Sequence, residues 1–478
     1  MKFLFESLKN SGHPSSDADI RNLKVTIMGL GLNGGGFASA LFFAKHGADV
    51  TVTDLRSREI LAPTIEKLTD YNIRYVLGEH KIEDFENADL VIKNPAVDPK
   101  SHFLKAAKKI ETDISIFLSL CKNPLIAVTG SKGKSTTVSA IYHVIKKDFP
   151  RAKLGGNITT SPLSFIDELQ DDDPVVLELS SWQLADIKNN SVFKPKVAVI
   201  TNIIPDHLNR YSSMEEYVAD KKLIYQNQDK NDFTLYYLDD KWGKIFAAET
   251  KAQSLFFTAN KIPDTVASGA WFMENGCSFI QYNGSKEQIL PKELKLAGKH
   301  NKINLLAAGA ALYVFGIKSD VISKNLSEFT GIAHRMEFLC KINGVDFYND
   351  TTATVPEALI AAAESFSSPV RLISGGTDKN LDFSVFDKLK GKTKNIYLLA
   401  GTATDKMIPF LNKHDISWKG PFSSLEEATE TAFKESNKGD VVIMSPGCTS
   451  FGMFKNEFDR GDSFKKIVAA IAASATAK

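Results

Sequence analysis

Two short apolar runs, Leu23–Gly29 (LKVTIMG) and Leu125–Gly130 (LIAVTG), each end in glycine and lead into a helix-forming stretch. A buried strand handed to a helix through a glycine loop is the building unit of a parallel sheet covered by helices on both faces, which makes the chain α/β. After the first run, an Ala- and Phe-rich segment from about Asn33 to His46 reads as helix and Asp49–Thr53 (DVTVT) as the next strand. After the second, a helix starts at Lys134, two buried strand candidates follow at Val175–Leu179 and Val197–Thr201, and a helix runs from Met214 to about Gln226. Asp232 to Lys295 reads as shorter, hairpin-like pieces, and the alanine-rich tail of LAGKHNKINLLAAGAAL reads as a packed helix. Beyond Gly331 a third block repeats the alternation, with VRLIS, NIYLLAG and VVIMS as its strands. At roughly 100 to 200 residues per domain, 478 residues suit three domains, with expected spans of 1–119, 120–330 and 331–478.

Charge and composition exclude several classes. With 58 Lys plus Arg against 57 Asp plus Glu, the net charge of +1 gives no overall field to draw the chain onto nucleic acid or anionic lipid. Hydrophobic residues at 43% and charged residues at 24% are ordinary for a folded soluble protein. Cys121, Cys277, Cys340 and Cys448 are scattered singly, without Cys-x-x-Cys pairs, a usage that fits a reducing cytoplasm. The N-terminal MKFLFESLKNSGH has too short an apolar run for a secretory signal, and no stretch approaches 18 uncharged apolar residues. The expectation is a cytoplasmic monomer that neither inserts into a membrane nor binds nucleic acid.

The segment Gly29-Leu30-Gly31-Leu32-Asn33-Gly34 fits G-x-G-x-x-G directly after a strand, with Asp54 at the end of the next. Such glycines let backbone N–H groups approach a pyrophosphate, a carboxylate such as Asp54 can accept from ribose hydroxyls, and Arg56 can add a phosphate contact. The second loop, Gly130-Ser131-Lys132-Gly133-Lys134-Ser135-Thr136, is built to cradle phosphates. Its amides and the helix N-terminus face them, Lys134 supplies charge and Ser135 can reach magnesium. Val128 stands where the usual phosphate-loop pattern has its first glycine. Two such loops suggest two substrates, one with a nucleotide handle and one ATP. Glu178, in the otherwise apolar VVLEL, needs a partner, and magnesium is a suitable one. His207 follows the next strand, Lys221 and Lys222 lie on the following helix, and His334-Arg335, Asn349-Asp350 and Gly375-Gly376-Thr377-Asp378-Lys379 lie near strand ends in the third block. Arg335 and Asp350 can either close over ATP or form an interdomain salt bridge.

These residues resemble the Mur ligases of peptidoglycan synthesis from about residue 24 to the end. GSKGKST is similar to that family's short ATP loop, and LELSSWQL (Leu177–Leu184) to the form found where D-glutamate is added. GGNI around Asn157, DHLNRY, YVADKKLIY, GKHNKIN, AHR, GGTDKNLDF and SPGCTSFGMFKNEFDRG follow in the family's order. The resemblance implies an N-terminal UDP-binding Rossmann-like domain, a central P-loop ATPase-type domain and a C-terminal Rossmann-like domain that binds the incoming amino acid. It implies ATP-driven ligation of D-glutamate to UDP-N-acetylmuramoyl-L-alanine through an acyl phosphate. Carried over residue by residue, the ATP site is Gly130, Ser131, Lys132, Gly133, Lys134, Ser135, Thr136, Asn301, Asn304, Arg335 and Asp350. Two Mg2+ ions fall to Ser135, Glu178, His207 and Lys221, the last expected as a carbamylated lysine, and Lys134 joins Glu178, His207 and Lys221 as catalytic. The UDP-substrate falls to Leu32, Asn33, Asp54, Arg56, Asn157 and His207, and the amino acid to Thr354, Lys379 and Ser450.

The chain departs from the family pattern at Thr352 and Val355, where a lysine and an asparagine are usual, and at Glu457-Phe458, where the order is usually reversed. Lys132 replaces an asparagine and Ala96 a glycine. A ligase adding another amino acid such as L-glutamate is therefore a rival within the same chemistry. An NAD-dependent oxidoreductase would use the first glycine loop but leave the second loop, Glu178 and Lys221 without work.

Overall fold

The computed structural model describes residues 20–476 except 32–33, 95–96, 99, 159, 189, 206–210, 261–267, 297, 379–380 and 451. The chain divides into two compact units, Met1–Phe329 and Thr330–Lys478.

The first unit holds two sheets. One is wholly parallel and consists of β1 (Lys24–Met28), β2 (Asp49–Asp54), β3 (Ile73–Leu77), β4 (Leu90–Lys93) and β5 (Ile110–Glu111), in the order β3-β2-β1-β4-β5. The chain leaves β1 toward β2 and later returns to its other side as β4. The switch point, where ligands collect in such sheets, is therefore at the C-terminal end of β1. Met28 lies level with Thr53, which sets Asp54 beside the first glycine loop.

The second sheet comprises β6 (Leu125–Thr129), β7 (Lys153–Gly156), β8 (Val175–Glu178), β9 (Val197–Ile200), β10 (Phe233–Tyr237), β11 (Gln253–Thr258), β12 (Gly269–Phe272), β13 (Ser278–Tyr282) and β14 (Ser285–Leu290). Its order is β14-β13-β12-β11-β10-β9-β6-β8-β7. Every residue of β6 is buried, as expected of an apolar run covered by helices on both faces. Val128 is level with Glu178 and Thr129 with Ile200, so the second glycine loop, Glu178 and the segment after Ile200 emerge at one edge.

The region after Asp232 departs from its hairpin-like reading in its first half and bears it out in its second. β10 and β11 are parallel and joined through the Gly243–Glu249 helix, β12 continues parallel, and the antiparallel hairpins are β12 with β13 and β13 with β14. FTLYY is buried along nearly its whole length. Such a run belongs inside a covered parallel sheet, whereas a half-exposed hairpin would alternate.

One apolar cluster joins these two sheets, bringing Val25, Phe43, Ile114 and Phe117 together with Leu177, Leu184 and Tyr217. A second packs the Lys134–Asp148 helix against the Lys299–Phe315 helix through Val138, Ile141, Leu305 and Leu312. The second unit has its own sheet of β15 (Glu337–Ile342), β16 (Val345–Asn349), β17 (Val370–Gly375), β18 (Thr393–Leu399), β19 (Trp418–Phe422) and β20 (Val441–Met444), ordered β15-β16-β20-β17-β18-β19. Leu372 and Ile443 face one core with Met407, and Ile373 and Met444 the other with Phe464, the period-two alternation of strands covered on both faces. Among the described residues no helix is long and apolar enough to cross a membrane, and all four cysteines are unpaired.

Candidate active site

A cavity of about 730 Å3 in the first unit collects both glycine-loop regions. At its nucleotide-loop end, Gly29, Gly31 and Gly34 all have positive φ. The helix that follows, Gly35–Lys45, has no side-chain N-cap, so its first amides are suited to an anion. Gly36 carries the tightest constraint: a Cβ there would lie 2.1 Å from the Gly29 carbonyl oxygen. Glycine at that position lets the helix start directly over the strand. Asp54 accepts from the Gly31 amide at 3.2 Å through one oxygen and from the Arg56 amide at 2.9 Å through the other. It therefore organises the loop while keeping lone pairs for a ribose. Arg56, half exposed, stands 4.0 Å from it. Leu32 and Asn33 lie outside the described residues.

Two residues that the motif reading missed line the same end. The His80 ring makes a 2.6 Å contact with the Thr53 hydroxyl, and Asn94 packs against Gly29. Burial holds the His80 pKa below its ordinary value, opposed by the Asp54 charge. His80 follows β3, and the rule that ligands gather at the C-terminal edge of a parallel sheet was the available signal for it.

At the phosphate-loop end, Gly133 has φ of 87° and a Cβ there would meet the Asn304 amide oxygen at 2.2 Å, which seats Asn304 against the loop. Asn301 begins the same helix, one turn earlier. The loop is held from β9: the Ser131 amide donates to the Asn202 carbonyl at 2.7 Å, the Lys132 amide to the Asn202 side chain at 2.9 Å, and the Thr201 hydroxyl to the Lys132 carbonyl at 2.7 Å. Lys134 donates to the Gly130 and Ser131 carbonyls at 2.9 and 3.0 Å. Ser135 and Thr136 open its helix.

Glu178 is 1% exposed. One of its oxygens accepts from the Asn157 side chain at 2.8 Å, while the other, Oε2, has no hydrogen-bond partner among the described residues. An orphaned carboxylate oxygen at that sheet edge fits a magnesium ligand, since Mg2+ takes one or two carboxylates and completes its shell with water and substrate phosphate. Among the described residues, which do not include His207, no cluster of three or more His, Cys, Asp or Glu is found. Lys221 is also 1% exposed; its ammonium donates to the Gly130 carbonyl at 2.9 Å and lies 4.6 Å from the centre of the Tyr217 ring. Lys222 instead pairs with Glu249 at 2.8 Å on the outside. His207 lies outside the described residues. Ser180 and Gln183 cap their helix reciprocally, which fixes the SSWQ wall of the cavity.

The second unit has a smaller cavity of about 230 Å3, lined by Gly376, Thr377, Thr402, Ser450 and Arg460 among others. The Ser450 hydroxyl is buried and has no partner among the described residues. Arg460, which the motif reading did not single out, donates to the Thr351 hydroxyl and carbonyl, both at 3.0 Å, and burial lowers its pKa to about 10. Thr354 is not part of that lining, and Lys379 lies outside the described residues. Asp350 accepts from the Ser445 hydroxyl at 2.7 Å and the Met336 amide at 3.0 Å, fixing the loop that carries Arg335. Arg335 and Asp350 thus belong to one unit, and a bridge between them is not an interdomain one.

Residues 128–312 match the model of the Mur ligase middle domain, and 23–116 that of the Mur ligase MurD-like N-terminal domain. A protein of Borreliella afzelii named UDP-N-acetylmuramoylalanine–D-glutamate ligase is 43% identical over 94% of this chain and 98% of its own. One of the same name from Treponema pallidum is 38% identical over 93% and 97%. Among solved structures, the UDP-N-acetylmuramate-alanine ligase MurC of Thermotoga maritima superposes with a TM-score of 0.54 at 19% identity, covering 94% of this chain and 100% of its own. That likeness concerns the fold.

Proposed function

Because the chain belongs to the Mur ligase family, we propose that it joins D-glutamate to UDP-N-acetylmuramoyl-L-alanine with ATP, in the cytoplasmic synthesis of peptidoglycan precursors. The observation that carries this reading is one cavity lined by both the pyrophosphate-type loop and Lys134 and Lys221 of the phosphate-loop region. A nucleotide-linked carboxylate and a triphosphate can therefore meet there. An oxidoreductase would need only the first loop.

A carboxylate oxygen of the L-alanyl group attacks the γ-phosphorus of ATP, the bond to ADP breaks, and an acyl phosphate forms. The glutamate amine then attacks the acyl carbon, phosphate leaves with the bonding pair, and the amine gives up its proton to form the amide. The loop amides and Lys134 hold the phosphates in line. Ser135 and Glu178 would hold one magnesium ion, and His207 and a carbamylated Lys221 the second, for which the enclosed Lys221 nitrogen beside the Gly130 carbonyl is suitably placed. Bound magnesium supplies positive charge against the repulsion of carboxylate and triphosphate. Asp54 and Arg56, with Leu32 and Asn33, would hold UDP, Asn157 the muramoyl portion, Asn301, Asn304, Arg335 and Asp350 the adenosine part or phosphates, and Ser450, Lys379 and Thr354 the amino acid.

The second reading, another amine such as L-glutamate, is motivated by Thr352 and Val355, which stand where the family usually has a lysine and an asparagine; Val355, 42% exposed, cannot hold a carboxylate. The test is ADP release with UDP-N-acetylmuramoyl-L-alanine and magnesium, adding D-glutamate, L-glutamate or neither, followed by mass and chiral analysis of the product. Turnover with D-glutamate is expected. Turnover with L-glutamate alone would keep the ligase and change its substrate, and ADP release independent of either would remove the reading.

A further inference from the structure

Asp113 is the first residue of the Asp113–Leu120 helix, and the N-terminus of that helix is already capped by Thr112 and Ser115, which form a reciprocal capping box. Its carboxylate is therefore not needed as the cap. It is nonetheless 7% exposed, and its Oδ1 has no hydrogen-bond partner among the described residues. Ser161 faces it, and its hydroxyl offsets part of the effect of burial on the carboxyl, although neither the Ser161 hydroxyl nor Oδ1 has a partner of full hydrogen-bond geometry among the described residues. The other oxygen, Oδ2, lies 3.6 Å from where a Cβ on Gly35 would be, at the start of the helix that follows the nucleotide loop. Asp186, itself paired with Lys93 at 3.1 Å, adds like charge from a third direction. Asp113 and Ser161 both line the 730 Å3 cavity, as do Gly156, Asn157 and Gln183 from the second sheet.

A carboxylate kept in this position, buried with one oxygen unsatisfied and another acid nearby, costs stability unless a ligand completes it. The substrate's pyrophosphate and terminal carboxylate are anionic and would be repelled. Its hydrogen-bond donors between those two ends are the hydroxyls and acetamido N–H of the hexosamine and the N–H of the lactoyl-alanyl amide. We propose that Asp113, with Ser161, is a positioning residue that accepts a hydrogen bond from one of these neutral donors and so sets the reach of the substrate's carboxylate toward the ATP loop. This inference rests on the nucleotide-sugar reading above.

The test uses the full chain and compares Asp113→Asn, Asp113→Ala and Ser161→Ala with wild type. Each is assayed for KM of UDP-N-acetylmuramoyl-L-alanine, KM of ATP, binding of UDP alone, and thermal midpoint. Losing one hydrogen bond to a charged group corresponds to about 10- to 100-fold. The Asp113 variants should raise KM for the nucleotide-sugar by that factor, leave UDP binding and the ATP KM within about twofold, and keep or raise the thermal midpoint. An unchanged nucleotide-sugar KM would overturn the proposal. So would equal weakening of UDP, which would place Asp113 at the pyrophosphate, or a lowered midpoint with unaltered KM, which would make it a structural charge at two helix N-termini. Should the alanine variant fail to fold, the isosteric Asp113→Asn carries the comparison. Wild type failing to turn over the nucleotide-sugar at all would refute the functional reading instead.

Discussion

Lys134 spends its hydrogen bonds on two carbonyls of its own loop, so in this state the lysine is held at the loop mouth by groups that a phosphate would replace. Charge stabilisation by such a residue is concentrated in the transferring phosphoryl group. Lys134→Ala should therefore lower glutamate-dependent ADP release by about 100-fold or more while leaving UDP binding intact, and an undiminished rate would remove Lys134 from the chemistry. Asp350 has a different consequence. Burial raises its carboxyl from 3.8 to about 6, against the opposing pull of Arg335 and the Ser445 hydrogen bond. The folded state then takes up a proton that the unfolded chain has already lost between about pH 4 and 6, so this group's contribution to stability falls as pH rises through that window and stays low above it. Relative to wild type, Asp350→Asn should gain thermal stability progressively from about pH 4 to 6 and hold a constant difference above. A difference that does not vary with pH would show that Asp350 titrates like an exposed aspartate.

Among the elements, the start of the Gly35–Lys45 helix has the least tolerance. Three glycines with positive φ turn the chain, yet the closest approach is at Gly36, outside the G-x-G-x-x-G pattern, where a methyl group would meet two carbonyl oxygens, those of Gly29 and Leu30, at 2.1 and 2.4 Å. Backbone atoms cannot swing away as side-chain ends can, so the helix itself would have to shift. Overpacking of this kind costs about 1 to 3 kcal/mol. Gly36→Ala should lower the midpoint in a thermal melt and weaken UDP binding, with little change in ATP binding by the second loop; UDP affinity at the wild-type level would mean that the helix start is not the nucleotide's anchor. The strand-loop-helix elements themselves were legible because apolar runs ending in glycine have few alternative structures. The hairpin reading fits β12 to β14 but fails for β10 and β11, because the pairing of β10 with β9 and β11 depends on strands distant in sequence.

For the whole molecule, cores rather than motifs determine which pieces can stand alone. Residues 330–478 have a complete six-stranded sheet with an apolar cluster on each face. Expressed alone, this segment should give a cooperative melt and dispersed amide resonances. Residues 1–119 have a sheet of their own but share a continuous apolar cluster with the second sheet, through Ile114 and Phe117 beside Phe165 and Leu184. That fragment should bind hydrophobic dye and melt broadly, and a sharp transition would show that the shared cluster is dispensable. By itself the sequence determined the α/β class, the two phosphate-type loops and the family, because each depends on residue types at short, fixed spacing, whereas the burial of Lys221 beside the outward Lys222 came from the packing. Only the tertiary structure decided that Asp54 accepts from the Gly31 and Arg56 amides, that Gly36 is the point of closest approach in the nucleotide loop, that Arg460 lies against Thr351, and that Asp113 faces the cavity with one oxygen unsatisfied among the described residues. Those properties belong to neighbours tens to hundreds of residues away, and the spacing of a motif does not record which distant backbone or side chain will pack against it.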